Sequence, residues 1–532
     1  MSDKAYDYVI VGAGSAGCVV AGRLSEDPDV SVLVLEAGGP DVDPWIRFPY
    51  VWPGMLKSAL DWDLLSEKEP GLDGRRIYLP RGKMVGGCGS INAMIYIRGN
   101  RADFDEWAEI AGDDSWSYER ILPYFRRSED YEGGEDMFHG VGGPLAVSFS
   151  RSMNPLVDVM LEAAVNAGHE RNPDLNGARQ EGVGRWPLTQ RDGRRFSPAD
   201  AFLHPALKAR SNVELVTSAM TSRILFEGER AVGVEYVKDG RAIEVRAERE
   251  VVVSAGAFQS PVLLMLSGIG PADHLRAMGI DVRADLPVGE NYQDHLMFVL
   301  NYVTDGDDAL FDKLTPENLE LYERGEGPLT SNYPEAGGFF RTRAGLRGPD
   351  VEFHFSPSML YDEGLTVPEA PGVAFGPALV QPSSRGFVRL RTPLPHSKPV
   401  IQLNSLTTED DRQSAIAGVR LALEVAAQSP LKERIVRPFS IPESDSDEDI
   451  LAWVRATSMT VFHPTSTCSM GSVVDAQLRV RGVEGLRVID ASVMPTITRA
   501  NTHAATIMIG EKGADLLKGV TSATTTQRSA AA

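Results

Sequence analysis

The sequence predicts an α/β protein, α+β overall, in which a Rossmann-like nucleotide-binding domain carries an inserted domain built on an antiparallel sheet with flanking helices. Three observations indicate this. A buried strand, a Gly-rich turn and a helix follow one another in "YDYVIVGAGSAGCVVAGRLSED". From about residue 300 to 440 short strand-like pieces alternate with Pro- and Gly-rich turns. Buried α/β character returns after about residue 455.

The length requires more than one domain. A single hydrophobic core stops growing at about 250–300 residues, and this chain has 532. We expect a discontinuous nucleotide-binding domain from residues 1–150, 195–300 and 455–520, and a substrate-binding domain from 151–194 and 301–454. Residues 521–532, "TSATTTQRSAAA", are polar and small and predict a disordered tail.

The elements of the first domain are indicated by apolar runs. After the opening strand and helix, Val30 to Glu36 predicts a second buried strand. Such continuous runs are typical of a parallel sheet that is covered on both faces. Further along, apolar and polar residues alternate in "NVELVTSAM" and "AVGVEYV", which predicts exposed or half-exposed strands. The apolar run in "EVVVSAGAF" predicts a buried strand.

The later elements follow the same reasoning. "DVEFHFSPSML" and "GFVRLRTP" predict strands of the antiparallel sheet. "TEDDRQSAIAGVRLALEVAAQ" has acidic residues in its first turn and apolar residues at helical spacing, which predicts a helix. "LRVIDAS" then predicts a short strand and "AATIMIGEKGADLL" a final helix of the nucleotide-binding domain.

Composition excludes several functions. The net charge of −21 disfavours nucleic acid and anionic membranes as partners. No apolar run approaches the ~18–20 residues that span a bilayer, and the N-terminus lacks the basic and apolar regions of a signal peptide. Three widely spaced cysteines, Cys18, Cys88 and Cys468, make no disulfide framework and indicate a cytoplasmic protein. No zinc-type ligand spacing is present, so we expect no metal.

A dinucleotide fingerprint stands in the first turn. Gly12, Gly14 and Gly17 form G-x-G-x-x-G between the predicted strand and helix. The glycines permit a tight turn, the approach of a pyrophosphate and close helix packing, and the helix N-terminus attracts the phosphates. Glu36 ends the second strand, 19 residues after Gly17, where a carboxylate accepts from ribose hydroxyls.

The sequence also indicates which dinucleotide binds. A carboxylate at Glu36 argues against a 2′-phosphate and hence against NADP. The fingerprint itself does not distinguish NAD from FAD. Because it lies at the start of a long chain that has no second fingerprint for a nicotinamide, FAD is favoured.

Several longer motifs occur in a fixed order. They are "RGKMVGGCGSINAMIYIRGN" (81–100), "GAFQSPVLLMLSGIG" (256–270), "PVGENYQDH", "GLRVIDASVMP" and "NTHAATIMIGE". Together they resemble the glucose–methanol–choline (GMC) family of flavin oxidoreductases over essentially the whole chain. The nearest branch is that of bacterial choline dehydrogenase-like and alcohol (aryl-alcohol) oxidase-like members. Cys88 stands where the family usually has a smaller residue.

This resemblance implies FAD as the cofactor. The histidine that carries a covalent flavin in some relatives is replaced by Ile91, which has no nucleophilic atom, so the flavin is expected to be non-covalent. The expected flavin contacts include Asn92 near the reactive edge, the backbone of Met220 at the adenine, and Asp490 at the phosphates and ribityl chain. The full set of candidate cofactor-binding residues is Gly12, Gly14, Ser15, Ala16, Gly17, Glu36, Ala37, Met84, Gly86, Gly87, Ser90, Asn92, Ala93, Met94, Met220, Asp490, Ala491, Asn501 and Thr502.

The resemblance also places the catalytic histidines. His463, in "TVFHPTSTCSMG", falls on the family's catalytic histidine, and His503 falls on its partner position. Oxidising an alcohol requires a base for the hydroxyl proton and a position for the carbon against the flavin, and imidazole has a suitable pKa. We assign the base to His463 and the partner to His503, with the roles open to exchange. His295 is interpreted as structural and His354 as an ordinary sheet residue.

The expected reaction is the FAD-dependent oxidation of a primary alcohol, aromatic or medium-chain, to the aldehyde. O2, giving H2O2, or a quinone would reoxidise the flavin. Phe462 is expected to face the substrate, with Tyr333, Glu335 and Phe339 as further candidates for the cavity wall. Choline oxidation and an FAD-containing hydroxynitrile lyase are the alternatives. Whether the enzyme is an oxidase or a dehydrogenase, and whether it forms a homo-oligomer, stays open.

Overall fold

A computed structural model of the protein describes residues 5–520. The predicted disordered tail, 521–532, lies outside the described residues. Two large sheets organise this part of the chain, one of seven strands and one of eight. The predicted fold class, α/β with a separate antiparallel sheet, is confirmed.

The seven-stranded sheet combines parallel and antiparallel strands. Its parallel part contains the first strand, whose central residues Val9 and Ile10 are fully buried as the apolar run predicts. In spatial order its strands are Val213–Val216, Val32–Leu35, Ala5–Val11, Arg241–Val253, Arg230–Lys238 and Met220–Glu227, with Leu486–Val488 beside the end of Arg241–Val253. The strand Val213–Val216 is half-exposed because it lies at the edge of the sheet.

Two helices from opposite ends of the described chain lie together on this sheet. Ser15–Leu24 follows the first strand, and Thr502–Lys518 packs against it. The buried carboxylate of Glu511 pairs with Arg23 at 2.8 Å and with Arg127 at 2.5 Å. These ion pairs fix the last helix on the first, which brings residues 501–503 to the Gly-rich turn.

The eight-stranded sheet is antiparallel. In spatial order it contains Ile435–Ser440, Leu300–Thr304, Gly372–Leu379, Val351–Ser356, Ala336–Phe340 and Gly182–Arg185. Leu296–Met297 also pairs with Gly372–Leu379, and Met459–Thr460 pairs with Leu296–Met297. Strand alternation separates two faces. Phe353 and Phe355 enter the main core, whereas Glu352, His354 and Ser356 lie on the other face.

The helix Glu409–Ala426 covers the core face of this sheet, where its Gly418 lies against Val351 and Pro377. Thr408 caps its N-terminus by accepting a hydrogen bond from the backbone N–H of Asp411. The acidic first turn favours the positive end of the helix dipole, as the sequence predicts.

The remaining elements are short or peripheral. The other α-helices are Pro44–Arg47, Arg101–Ala111, Tyr118–Ser128, Pro155–Asn166, His204–Ala209, Gly256–Leu266, Ala272–Ala277, Pro316–Glu323, Leu431–Arg434 and Asp447–Thr457. Small ribbons pair Leu64–Leu65 with Tyr78–Leu79, Gln190–Arg191 with Arg194–Arg195, Ile269–Gly270 with Ala284–Asp285, and Glu129–Tyr131 with Leu145–Phe149 and then Pro187–Leu188.

Some sequence predictions differ from the structure. "GFVRLRTP" was expected in the antiparallel sheet, but Phe387–Arg389 pairs only with Val400–Gln402 in a separate ribbon. Leu296–Met297 and Met459–Thr460, which the predicted division assigns to the cofactor-binding segments, belong to the eight-stranded sheet. These two-residue strands carry too few apolar residues for a pattern. The domain boundaries themselves stay a prediction.

Within residues 5–520, every helix is too short or too polar to traverse a lipid bilayer.

Candidate active site

One cavity of about 480 Å³ is bounded by both large sheets. At one end, which we call the glycine end, its wall contains Gly12, Gly14 and Glu36. At the other, the histidine end, we group His295, His354, His463 and Asn501; all but His295 line the cavity. A single continuous cavity can therefore hold an extended cofactor with one part beside the histidines.

Two Gly-rich loops meet at the glycine end. Gly12 has φ +101°, and a Cβ there would lie 2.4 Å from the carbonyl oxygen of Ser254. The backbone N–H of Gly86 donates to Ala13 O at 2.7 Å. A Cβ on Gly87 would lie 2.8 Å from Gly14 Cα. The close approach of these backbones leaves no room for side chains and creates the concave surface that a pyrophosphate needs.

Glu36 is held at this end by main-chain donors. Its Oε2 accepts from Ala13 N at 2.9 Å and its Oε1 from Gly38 N at 2.8 Å. Burial raises the pKa of Glu36 to about 7, although these N–H groups oppose the shift. Each oxygen keeps a further lone pair, which fits the hydroxyls of a ribose. The residues present therefore fit a dinucleotide.

Asp490 follows the strand Leu486–Val488 on the cavity wall. Its Oδ2 accepts from Ser260 Oγ at 2.5 Å and Gly256 N at 2.9 Å, and its Oδ1 from the backbone and hydroxyl of Ser492. Burial raises the pKa of Asp490. With both oxygens engaged, this carboxyl fixes the loop geometry around the cavity.

Most of the predicted cofactor-binding residues line the cavity. They are Gly12, Gly14, Ser15, Ala16, Glu36, Ala37, Gly87, Asn92, Ala93, Met94, Met220, Asp490, Ala491, Asn501 and Thr502, and Ile91 is beside them.

Four predicted contacts lie behind the wall instead. Gly17 and Gly86 belong to the touching loops, Met84 packs in a small core with Ile91, and Ser90 Oγ donates to Val85 O at 2.9 Å. Their assignment as cofactor contacts stays a prediction.

His463 is positioned by three separate segments. Its backbone N–H donates to Asp294 Oδ1 at 2.8 Å. Its Nδ1 lies 3.0 Å from Nδ1 of His295, and its Nε2 lies 3.2 Å from Nδ2 of Asn501. The amide nitrogen can only donate, so Nε2 of a neutral His463 accepts and its Nδ1 carries the proton toward His295.

His503 and His463 line the same cavity, but among residues 5–520 no direct hydrogen bond joins them. Nδ1 of His503 lies 3.3 Å from Ser15 Oγ, and its Nε2 has no partner among residues 5–520. Asn501, the cap residue of the last helix, is the group hydrogen-bonded to His463. His503, inside the first turn of that helix, lines the same cavity and helps to lower the pKa of His463. Its assignment as the catalytic partner stays a prediction.

Burial keeps the imidazoles neutral. It lowers the pKa of His295 to about 3 and those of His354 and His503 to about 4. The pKa of His463 falls well below its usual value, first through burial and then through neighbouring His295, His354 and Arg81. At neutral pH, Nε2 of His463 is therefore unprotonated, as a general base requires, and it accepts from the Asn501 amide.

Sequence analysis did not identify two residues of the histidine end as part of the site. His295 follows Asp294 in "NYQDH", and nothing in that stretch ties it to a histidine 168 positions later. His354 gave a usable signal, because it alternates with Glu352 and Ser356 on one face of an otherwise apolar strand. Both nitrogens of His354 lack hydrogen-bond partners among the described residues, and Nε2 lies 3.8 Å from Glu352 Oε1.

Comparisons with known proteins agree with these motifs. Two GMC oxidoreductase family profiles match residues 6–297 and 382–510. The chain belongs to the GMC oxidoreductase family. It is 47% identical to an uncharacterized GMC-type oxidoreductase of Mycobacterium tuberculosis, covering 97% of this chain and 100% of that protein.

Two further GMC-type relatives are informative. Mitochondrial choline dehydrogenase of Homo sapiens is 43% identical, over 97% of this chain and 90% of that protein. The crystal structure of pyridoxine 4-oxidase from Mesorbium loti superposes with a TM-score of 0.88 at 33% identity, over 96% and 98% of the two chains. This GMC protein is accordingly an FAD-dependent oxidoreductase that acts on alcohol donors.

The structure of this GMC oxidoreductase places two of the four candidate substrate-wall residues at the cavity. Tyr333 and Phe462 line the cavity. Both have positive φ, +74° and +64°, a conformation that costs about 1–3 kcal/mol for a bulky residue and is concentrated at functional sites. Trp52 lies edge-on to Tyr333, at a ring separation of 6.5 Å, and extends this aromatic wall.

Glu335 and Phe339 do not reach the cavity. Glu335 is buried and accepts from Ser331 Oγ at 2.6 Å, with Arg185 at 3.4 Å. Phe339 packs edge-on to Trp186 at 5.7 Å. Both side chains pack behind the wall, and their assignment as substrate contacts stays a prediction.

Within the described residues, one group has the spacing of metal ligands: Asp41, Asp200 and His204. Arg47 forms ion pairs with both carboxylates of this group, with Asp41 at 3.6 Å and with Asp200 more closely. The guanidinium occupies the position that a cation would take.

Proposed function

We propose that this GMC oxidoreductase oxidises an uncharged primary alcohol, aromatic or medium-chain, to the aldehyde, with His463 as the base. The observation that supports this most strongly is the neutral, acceptor-bearing Nε2 of His463 in the same cavity as the dinucleotide fingerprint. The positions of Gly12 and Glu36 support a flavin dinucleotide in that cavity.

In this proposal each residue has a defined task. Nε2 of His463 takes the hydroxyl proton, and Nδ1 stays hydrogen-bonded to His295. The amide N–H of Asn501 donates to the substrate oxygen while negative charge develops there. Bound FAD supplies the acceptor for the hydride that leaves the alcohol carbon. The buried wall keeps water away from the separated charges.

The lining favours an uncharged substrate. Trp52, Trp62, Tyr333 and Phe462 give the cavity a large aromatic surface that suits an aryl or alkyl chain. Arg81 lines the same cavity and hydrogen-bonds to Phe462 O. Its positive charge opposes the entry of a cationic substrate.

Choline is the second candidate. The same aromatic residues could surround a quaternary ammonium group, and the human relative is named a choline dehydrogenase. A hydroxynitrile lyase would use a similar histidine site without redox chemistry, and the reaction itself separates these possibilities.

The test is an anaerobic mixing experiment. Purified flavoprotein is combined in turn with benzyl alcohol, 1-octanol and choline, and the visible absorbance of the flavin is followed. We expect bleaching to be fastest with an uncharged alcohol. Bleaching by choline alone would overturn the proposed substrate class, and no bleaching by any alcohol would favour the lyase. Admitting air, or adding a quinone, then identifies the acceptor.

We also propose that the flavin is bound without a covalent link, because the side chain of Ile91 on the cavity wall is a hydrocarbon. Acid precipitation should release all yellow colour into the supernatant. Colour that stays with the precipitate would contradict this. A cytoplasmic location and any homo-oligomer stay predictions.

A further inference from the structure

A buried arginine lies directly behind the loop that forms the middle of the cavity wall. Arg195 is 1% exposed, in the short ribbon strand Arg194–Arg195. Its Nε donates to Ile46 O at 2.8 Å, and its Nη1 to Gly89 O at 3.3 Å and to Asn92 Oδ1 at 2.7 Å. The guanidinium therefore holds two residues of the 86–94 loop from the side away from the cavity.

This guanidinium has no direct counter-ion. Within residues 5–520, no carboxylate oxygen lies in ion-pair distance of Arg195, and its Nη2 has no hydrogen-bond partner. The nearest acid with an electrostatic effect, Asp200, is engaged by Arg47 and Ser197. A buried charge without a counter-ion is unfavourable, so the presence of Arg195 at this position needs an explanation other than stability.

The contacts of Asn92 indicate what Arg195 accomplishes. Asn92 Oδ1 accepts from Arg195 Nη1 and from the backbone N–H of Met94 at 3.0 Å. With the oxygen held on that side, the amide Nδ2 must point the other way. Asn92 lines the cavity, and its Nδ2 has no partner among the described residues. Two N–H donors are thus available to a ligand in the cavity.

We propose that Arg195 is a positioning residue for the flavin: it fixes the amide of Asn92 as a donor toward the isoalloxazine and places an unpaired positive charge behind it. The proposal rests on the proposed binding of FAD along residues 86–94. An oxidised isoalloxazine is neutral and gains one negative charge when it accepts a hydride. A fixed donor and a buried cation stabilise that charged form relative to the oxidised one.

The consequence is a higher flavin reduction potential. Replacing Arg195 by Met removes the charge and releases Asn92. We expect the equilibrium constant for two-electron reduction to fall by at least about tenfold, which is about 30 mV. The equilibrium constant should fall by a similar factor in Arg195→Gln, which is polar but uncharged. In Arg195→Lys it should stay within about threefold of the wild-type value, because the charge is kept.

The experiment measures the midpoint potential of bound FAD in each variant against reference dyes. Arg210→Met is the matched control: Arg210 also hydrogen-bonds without an ion pair, to Gly22 O and Ser25 Oγ, but is remote from the 86–94 loop. Its potential should equal that of the wild type. Thermal unfolding of each holoprotein reports any loss of fold.

Two results would overturn the proposal. One is an unchanged potential in both Arg195→Met and Arg195→Gln; the other is an equal fall in Arg195→Lys, which would leave the charge without a role. If Arg195→Met does not fold, the Gln and Lys pair decides. The potential is measured without any alcohol, so failure here is distinct from failure of the proposed reaction, and wild-type protein isolated without FAD would refute the flavin site itself.

Discussion

The glycine end and the histidine end of the cavity are built in opposite ways. At the glycine end the polar groups are already partnered: Glu36 accepts two backbone N–H groups, and Gly86 N donates to Ala13 O. At the histidine end several buried polar atoms have no partner among residues 5–520, including His295 Nε2, both nitrogens of His354 and Asn501 Oδ1.

This difference suits the glycine end to binding the cofactor and the histidine end to the chemical step. A buried polar group left unpartnered costs about 1–3 kcal/mol, so the histidine end lowers the stability of the protein. Main-chain donors at the glycine end are rigid and suited to holding a ligand that does not change. Neutral imidazoles with free nitrogens are suited to receiving a proton. The following variants test whether the two ends can be disabled separately.

The largest effect is expected from Gly12→Ala at the glycine end. The added Cβ would lie 2.4 Å from Ser254 O, so the loop must shift. We expect the purified variant to lack FAD and all activity, as measured by the ratio of visible to ultraviolet absorbance. Gly240→Ala is the control: its φ is also positive, at +72°, but no atom lies within 4 Å of the new Cβ. It should retain FAD and lose only about 1 kcal/mol of stability.

His463→Ala tests the other end. Loss of a general base should lower the rate constant of flavin reduction by about 10²–10⁴-fold, while the FAD content stays that of the wild type. Anaerobic stopped-flow absorbance measures the rate. The exposed His396, replaced by Ala in the same way, should leave the rate unchanged. Near-normal reduction in His463→Ala would refute the base assignment.

His295→Phe removes the hydrogen-bond partner of His463 Nδ1. The tautomer and the ring orientation of His463 are then no longer fixed. By comparison with residues that orient a histidine ligand, we expect a fall in kcat/KM of roughly 10–100-fold, smaller than for His463→Ala. His295→Asn, which can still accept from Nδ1, should recover part of the loss. If Phe and Asn are equally active, the 3.0 Å contact has no role in the reaction.

The two ends should also differ in their response to pH. Burial raises the pKa of Glu36 to about 7, so the free protein loses this proton as the pH rises from 6 to 8. Because only the ionised group accepts at all its lone pairs, FAD affinity should increase a few-fold over that range, in fluorescence titrations of apoprotein. Glu36→Gln should abolish the dependence.

The pKa of His463 lies well below 6.5 because the ring is buried. The ring is therefore unprotonated throughout pH 6–8, and the rate constant of flavin reduction should stay flat there. A rate that rises over this range in step with a group near pH 7 would show that His463 is not buried as described.

The smallest effect is expected behind the wall. Phe339→Leu changes a residue that packs on Trp186 outside the cavity, so KM for the best alcohol should stay within about twofold, with a loss of roughly 1 kcal/mol in stability. Phe462→Leu, on the cavity wall, should change KM more. Equal changes in KM would mean that the cavity extends to Phe339.

Sequence reasoning succeeded where local spacing determines geometry. The buried strand before Gly12, the helix after it and the carboxylate at Glu36 are all set within one βα unit, and the structure has them in the expected places. Residues 81–100 were also placed at the cavity, although Ser90 and Met84 face away from it.

At the histidine end sequence reasoning was less successful. His295, His354 and Asn501 approach His463 from three distant segments, and no periodicity within one segment encodes such a meeting. His503 was placed at the cavity from the sequence, and it lines the cavity together with Asn501. The hydrogen bond from Asn501 to His463 was not expected, because it depends on how the start of the last helix meets a loop 38 positions away.

The pairing of the first helix with the last has a consequence for biosynthesis. Arg23 meets Glu511 only after about 490 further residues have been translated, which takes about 25–100 s at 5–20 residues per second. During that interval the growing chain lacks the strand Leu486–Val488 and the helix Thr502–Lys518. The cavity walls that these two elements supply can therefore form only after both have been translated.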